Sequence, residues 1–278
     1  MSAQQALLTI LQEKIKADRL VLPTLPAIAL KVREQAEDPD VSLAQMAEII
    51  SQDPALAARM IKVANSAFMG RSIMLNTLQQ AVTRIGLSQI KNIAIAMALE
   101  QLFVSEYKQV QQKLDQLWRD SVQIAAISVA CLQWYKASHP KCRLNKDVMA
   151  LTALVHNIGA LAVLTEAERH QEVFGHPVFL TQVIDKAAPL ISMKVLQAWN
   201  FEAEFQQAAK TWRLPRPDAE VSYTDFIRLA ALSQGFYKAE DKSALIAHYV
   251  EQGLVAAEDF MQQQDIQKIY QDVQALFH

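Results

Sequence analysis

The sequence predicts an all-α fold, and three observations support this prediction. Only six glycines occur among the 278 residues, well below the roughly 7% that is usual in soluble proteins. Alternating apolar and polar patterns, which indicate half-buried strands, are almost absent. Helix start signals are frequent instead, and apolar residues follow them at helical spacing. We therefore expect a large helical domain with a substantial buried core.

The start signals locate the first helices. We predict N-caps at Ser42, Asp53 and Thr77, with a capping box at the first and third of these positions. Gly86 is expected to end one helix in a left-handed conformation. Ser88 is expected to begin the next helix.

The second half of the chain shows the same helical pattern. A long helix is predicted from about Leu114 to just before His139, and Asn145 is predicted to cap its successor. A turn is expected around Asn200, and residues 214–217 (LPRP) predict a break because proline cannot continue a helix. Later helices are predicted near residues 184–199, 202–212, 222–237, 242–252 and 256–277.

Charge and composition exclude several classes of function. The formal net charge is −2, and the charged residues are interspersed, so no basic block predicts contact with a phosphate backbone. The apolar runs and the N-terminus predict neither a membrane span nor a signal peptide, which leaves a cytoplasmic location as the expectation. The two cysteines, Cys131 and Cys142, do not form a disulfide framework.

Two local clusters could bind a charged ligand. Cys131, His139 and Cys142 invite a zinc hypothesis, but structural zinc normally needs four ligands and a fourth is not apparent. We therefore expect no metal and no cofactor. Five cations on neighbouring N-terminal helices could form an anion-binding face, although a solvated helix surface is the simpler interpretation. These cations are Arg59, Lys62, Arg71, Arg84 and Lys91.

Seven short segments carry a family resemblance. They are residues 22–26 (LPTLP), 53–57 (DPALA), 63–67 (VANSA), 77–82 (TLQQAV), 85–87 (IGL), 117–121 (LWRDS) and 153–159 (ALVHNIG). In this order they resemble the HDOD family, bacterial signalling domains related to the HD-type metal phosphohydrolases. The resemblance covers roughly residues 20 to 235. It implies an all-α fold with an N-terminal helical lobe and an HD-like helical lobe.

The resemblance also implies where a degenerate HD site would lie. An HD hydrolase needs several convergent histidine and aspartate ligands to hold a metal that activates water or clamps phosphoryl oxygens. Here Asp120 stands where such enzymes place a histidine, and the central His-Asp pair reads His156-Asn157. Residues 187–189 (AAP) and 212–213 (WR) stand where relatives carry further histidines. We therefore expect no metal-dependent catalysis.

Two interpretations of His156 at this degenerate HD site stay open. His156 is either a buried helix residue bonded to Asp120, to a backbone carbonyl or to water, or part of a vestigial pocket that binds a small ligand. Such a pocket would be lined by Trp118, Arg119, Asp120, His156 and Asn157.

The sequence thus predicts an organisation and a function. Residues 1–110 form the N-terminal lobe, residues 111–237 the HD-like lobe and residues 238–278 an amphipathic helical tail, which packs back on the domain or docks to a partner. The predicted function is a non-catalytic signalling module that binds unidentified signalling proteins or a small ligand. The alternatives are a metal-dependent phosphohydrolase or cyclic-nucleotide phosphodiesterase with altered ligands, and a nucleic-acid-associated regulator.

Overall fold

The computed structural model describes residues 3–70, 73–169 and 177–277. Across these ranges the chain forms helices and no strand, which confirms the all-α prediction. The α-helices are α1 (Ala3–Lys16), α2 (Ala27–Ala36), α3 (Leu43–Ser51), α4 (Pro54–Ala64), α5 (Leu78–Ile85), α6 (Leu87–Ala98), α7 (Lys108–Ser138), α8 (Lys146–Val155), α9 (Gly159–Glu168), α10 (Pro177–Ala198), α11 (Ala203–Thr211), α12 (Tyr223–Ser233), α13 (Ala239–Glu251) and α14 (Gln264–Gln274). Short 3₁₀ turns lie at Ala67–Met69, Leu99–Leu102 and Phe260–Gln262.

Helix capping explains why these elements begin where they do. The predicted N-caps at Ser42 and Asp53 are confirmed, because each side chain accepts a hydrogen bond from a first-turn amide. The predicted capping box at Thr77 is only half formed, since the carboxamide of Gln80 accepts from the N–H of Asn76 instead. Capping satisfies amides that have no partner within the helix.

Two helix ends depend on positive φ angles. Gly86 (φ +81°, ψ 155°) ends α5, as predicted, and α6 begins directly after it, one residue before the predicted Ser88. Asn200 (φ +53°) lies in the predicted turn after α10. There the amides of Asn200 and Phe201 donate to the carbonyls of Gln197 and Leu196, the pattern of a Schellman motif.

The helices pack around α7, a 31-residue helix at the centre of the molecule. Helix α7 contacts α8, α12 and α14, while α2 to α6 pack on one another and meet the rest of the protein mainly through α6 and α8. Helix α1 packs against α9 and α10, although the sequence assigned it to the N-terminal lobe. The predicted division into three parts stays a prediction.

Among the described residues, one stretch is long and apolar enough to resemble a membrane span. It comprises residues Lys146–Glu168. They form α8 and α9, and 83% of the apolar window is buried inside the protein. Such burial is typical of core helices, which are apolar on all sides.

Candidate functional site

Residues 155–159 (VHNIG) form the junction between α8 and α9. The N–H of Gly159 donates to the hydroxyl of Ser192 on α10, at 2.8 Å. A Cβ atom on Gly159 would lie only 2.4 Å from the backbone nitrogen of Ser192 and 2.6 Å from the carbonyl oxygen of Ala188. Glycine therefore lets α9 and α10 cross at close range, and this crossing holds the junction in place.

His156 is buried at this junction, with 3% of its surface exposed. Its Nδ1 lies 2.5 Å from the carbonyl oxygen of Ala153, so Nδ1 carries the proton in that bond, because a carbonyl can only accept. Burial lowers the pKa of His156 to about 4; the bond to Ala153 opposes this shift, and the charge of Arg213 adds to it. The imidazole is therefore neutral at physiological pH.

An aromatic ring lies beside His156, and a guanidinium stacks on that ring. The ring of Trp212 meets the imidazole edge-on, with 4.6 Å between ring centroids. The guanidinium of Arg213 lies over the Trp212 ring at 4.2 Å and forms an ion pair of 2.8 Å with Asp185. Burial lowers the pKa of Arg213, and Asp185 partly offsets this effect. Residues 212–213 thus place a permanent cation where the resemblance implied further histidines.

Three polar atoms of this cluster are buried without a hydrogen-bond partner in the described part of the chain. They are Oδ1 of Asn157, Nε1 of Trp212 and Nε of Arg213. The first is an acceptor and the other two are donors. Such atoms are rare in native proteins, and a bound water or ligand is one source of the missing partner.

The other predicted pocket residues lie elsewhere. Asp120, on α7, accepts a hydrogen bond of 2.6 Å from Gln116, and burial raises its pKa. Within the described ranges, no hydrogen bond or ion pair joins Asp120 to His156. Arg119 is exposed, and Trp118 packs against the rings of Phe103 and Phe277. Three consecutive helix positions point about 100° apart, so these side chains cannot all share one pocket with His156.

The donors at the junction do not fit an HD-type metal. His156 has one nitrogen engaged by a carbonyl, Asn157 offers only a neutral oxygen, and a guanidinium lies nearby. Among the described residues, no three His, Cys, Asp or Glu side chains converge in a way that could hold a metal ion.

The residues of the zinc hypothesis are buried in a helix or packed against other side chains. Cys131 is fully buried in α7, and burial raises the pKa of its thiol. The ring of His139 stacks on Tyr135 at 3.9 Å and lies beside Gly253 in the tail. Both cysteines are free thiols. His139 therefore has a packing role here.

Three of the five candidate anion-binding cations already bind carboxylates or backbone carbonyls of the protein. Arg59 pairs with a carboxylate and donates to the last turn of α6, Arg84 donates to the last turn of α4, and Lys91 pairs with a carboxylate on the segment before α11. Lys62 is exposed on α4. Arg71 lies outside the described residues. Cations at helix C-termini are favourable because the carbonyls there carry partial negative charge.

Sequence reasoning missed Asp185 and Ser192. Both lie on α10, where no local motif marks them, and they reach the junction only through the crossing of α9 and α10. Gly159, two residues after Asn157 and at the start of a helix, was the available signal that another backbone approaches closely.

The fold and the junction define a class of helical proteins related to the HD phosphohydrolases. The HDOD domain model matches residues 22–215. The chain therefore belongs to the HDOD family, which confirms the resemblance seen in the sequence.

Three relatives illustrate the range of similarity. A solved structure from Shewanella amazonensis SB2B, provisionally named a metal-dependent phosphohydrolase, is 41% identical over the whole of both chains, with a TM-score of 0.94. An HDOD domain protein from Geobacter sulfurreducens is 18% identical, with a TM-score of 0.63, over 98% of this chain and 99% of that one; this likeness shows the fold alone. An uncharacterized protein from Treponema pallidum (strain Nichols) is 26% identical over 195 residues, 66% of this chain. The match spans only 36% of that protein's length.

Proposed function

We propose that this protein is a non-catalytic regulatory module of bacterial signal transduction, which acts by binding a signalling protein or a small ligand. One observation carries the proposal. The ring of Trp212 lies against His156, and the guanidinium of Arg213 stacks on that ring, where an HD hydrolase would need convergent metal ligands.

Electrostatics support the absence of catalysis. The positive charge of Arg213 contributes to the lowered pKa of His156, so it disfavours a proton on this imidazole. The same repulsion acts more strongly on a divalent cation, because Coulomb energy scales with charge. Asp185 neutralises only part of this field, since its own carboxylate is 45% exposed to water.

The binding role is supported by the three buried polar atoms without partners. An acceptor on Asn157 and donors on Trp212 and Arg213 could be satisfied by a water or by a small polar ligand. A ligand that binds one arrangement of the helices better than another would shift the population of states, which is how a module without chemistry can transmit a signal.

The alternative is a metal-dependent phosphohydrolase, and the provisional name of the relative at 41% identity favours it. This alternative requires stoichiometric metal and turnover that depends on His156. The same two measurements therefore separate the two functions.

Metal content and turnover test the proposal directly. Protein purified without chelator is analysed for Fe, Mn, Ni, Co and Zn, and then assayed on bis-p-nitrophenyl phosphate and cyclic nucleotides with each metal added. We expect well under one metal per chain and no turnover above the buffer rate. Turnover that is proportional to protein and disappears in His156→Ala, but survives in the half-buried control His248→Ala, would establish the hydrolase instead.

The signalling role has its own test. We expect deletion of the gene to change a regulated phenotype, and complementation with His156→Ala to restore it, because the imidazole performs no chemistry. A phenotype that intact protein restores and His156→Ala does not would contradict the non-catalytic assignment, provided that the variant is folded.

A further inference from the structure

A groove separate from the His156 junction lies between α7 and the C-terminal helix α14. Its volume is about 380 Å³, within the range of roughly 300 to 1,000 Å³ that is usual for small-molecule sites. The residues that matter for its chemistry are Glu100, Asp115, Trp118, Arg119, Gln274 and Phe277. Gln274 and Phe277 lie beyond residues 22–215, so the tail supplies one wall that the family domain does not contain.

The apolar part of the groove is an indole ring held by two other aromatic rings. The centroid of Trp118 lies 5.1 Å from that of Phe103 and 6.2 Å from that of Phe277, which meets the indole edge-on. These contacts restrain the indole, yet Trp118 remains partly exposed. The face of tryptophan is the strongest side-chain π site for cations.

Most of the charges around the groove are already compensated. Glu100 forms an ion pair of 2.5 Å with Arg59. The guanidinium of Arg119 donates to Gln116, whose amide in turn donates to Asp120, so this positive charge lies beside the carboxylate of Asp120.

Asp115 differs from these groups. Its carboxylate accepts a hydrogen bond of 2.6 Å from the neutral amide of Gln111. Across the described residues, no cation lies within ion-pair distance of it. The groove therefore combines a partly exposed indole with a carboxylate that has no ion-pair partner among the described residues, three positions apart on the same helix.

We propose that this groove binds a small organic monocation, a quaternary or protonated amine, whose charged head lies over Trp118 and beside Asp115. A single unpaired carboxylate selects one positive charge, and the indole favours a weakly hydrated, diffuse cation over a metal ion. The groove is a second site, so this inference goes beyond the proposed function, whose candidate ligand lies at the His156 junction. Because the tail forms a wall, bound ligand would also stabilise the docked position of α14.

Choline and its neutral isostere 3,3-dimethyl-1-butanol provide a matched pair of probes. Both are titrated into the full-length protein while the indole N–H of Trp118 is followed by NMR. We expect saturable binding of choline at least about 10-fold tighter than that of the isostere, because only the cation gains the cation–π attraction of a partly desolvated indole. Asp115→Asn should weaken choline about 5-fold or more and leave the isostere unaffected.

Asp40→Asn is the control, because it removes an exposed carboxylate that does not line the groove and does not pair with a groove residue. It should leave choline affinity unchanged. The proposal is overturned if choline shows no saturable effect, if choline and the isostere bind equally, or if Asp115→Asn changes nothing. Hydrolytic turnover would overturn the proposed regulatory function without altering any of these binding results.

Discussion

His156 shows how a single environment changes the character of a residue. The sequence alone identified it as the remnant of an HD pair, because residues 155–159 form a contiguous motif that can be recognised without the structure. The ion pair of Arg213 with Asp185 could not be predicted, since the two residues lie on separate elements and no motif links them. The motif therefore identified the position, and the neighbours determined its chemistry.

The lowered pKa of His156 predicts a pH-dependent stability. Its folded pKa of about 4 is below the ordinary value of 6.5, so the unfolded chain takes up this proton first as the pH falls. The stabilising contribution is therefore complete above pH 6.5 and is lost between pH 6.5 and about 4. Between pH 7 and pH 5 this residue alone should cost about 2 kcal/mol of unfolding free energy.

Urea unfolding at pH 7 and pH 5 measures this loss. In His156→Leu the other titrating groups remain, so the loss should shrink by that ~2 kcal/mol relative to the wild type. Equal losses in the two proteins would show that His156 titrates normally in the folded state.

The crossing of α9 and α10 is the element that gives the junction its shape. Helix α10 contains Pro189, which has no N–H to donate, directly beside Ala188 and close to Gly159. The sequence indicated both helices from their apolar spacing, but periodicity carries no information about how closely two helices approach. The close approach occurs at Gly159, where a Cβ atom would overlap the backbone of α10.

Gly159→Ala should destabilise the protein by about 3 kcal/mol, because the added Cβ would overlap the backbone of α10 and a backbone cannot move aside as a side chain can. Thermal and chemical unfolding measure the change. Ser192→Ala is the matched control: it removes the hydrogen bond to Gly159 without adding an atom, and it should cost only about 1 kcal/mol. Similar losses in both variants would mean that the hydrogen bond, and not the close approach, is what Gly159 provides.

At the scale of the whole molecule, the chain termini hold separate groups of helices together. Helix α1 packs on α9 and α10, with Lys14 paired to the buried carboxylate of Glu166 at 2.5 Å. Helix α14 packs along α7 and touches the 3₁₀ turn at Ala67–Met69. The buried bond from Asn92 to Asp147 links α6 to α8. The amphipathic tail thus packs on the domain, which was one of the two outcomes expected for it.

Removal of residues 264–278 should lower the unfolding free energy by roughly 4 kcal/mol, because Ile266, Val273 and Leu276 would lose their burial. Tryptophan emission should shift to longer wavelength as Trp118 loses its contact with Phe277. The exposed substitution Gln271→Ala, on the same helix, should leave both properties unchanged. An unaltered unfolding midpoint in the truncated chain would show that the tail contributes nothing to the core.

The sequence by itself determined the helical class, most helix starts and breaks, and the family, because these depend on local spacing, capping side chains and ordered short motifs. Only the tertiary structure decided that Trp212 lies against His156 with Arg213 stacked on its ring, that Asp120 bonds to Gln116, and that Trp118 meets the tail. The physical reason is that helix formation depends on residues three or four positions apart. A site, in contrast, depends on which side chains the packing of distant helices brings within a few ångströms of each other.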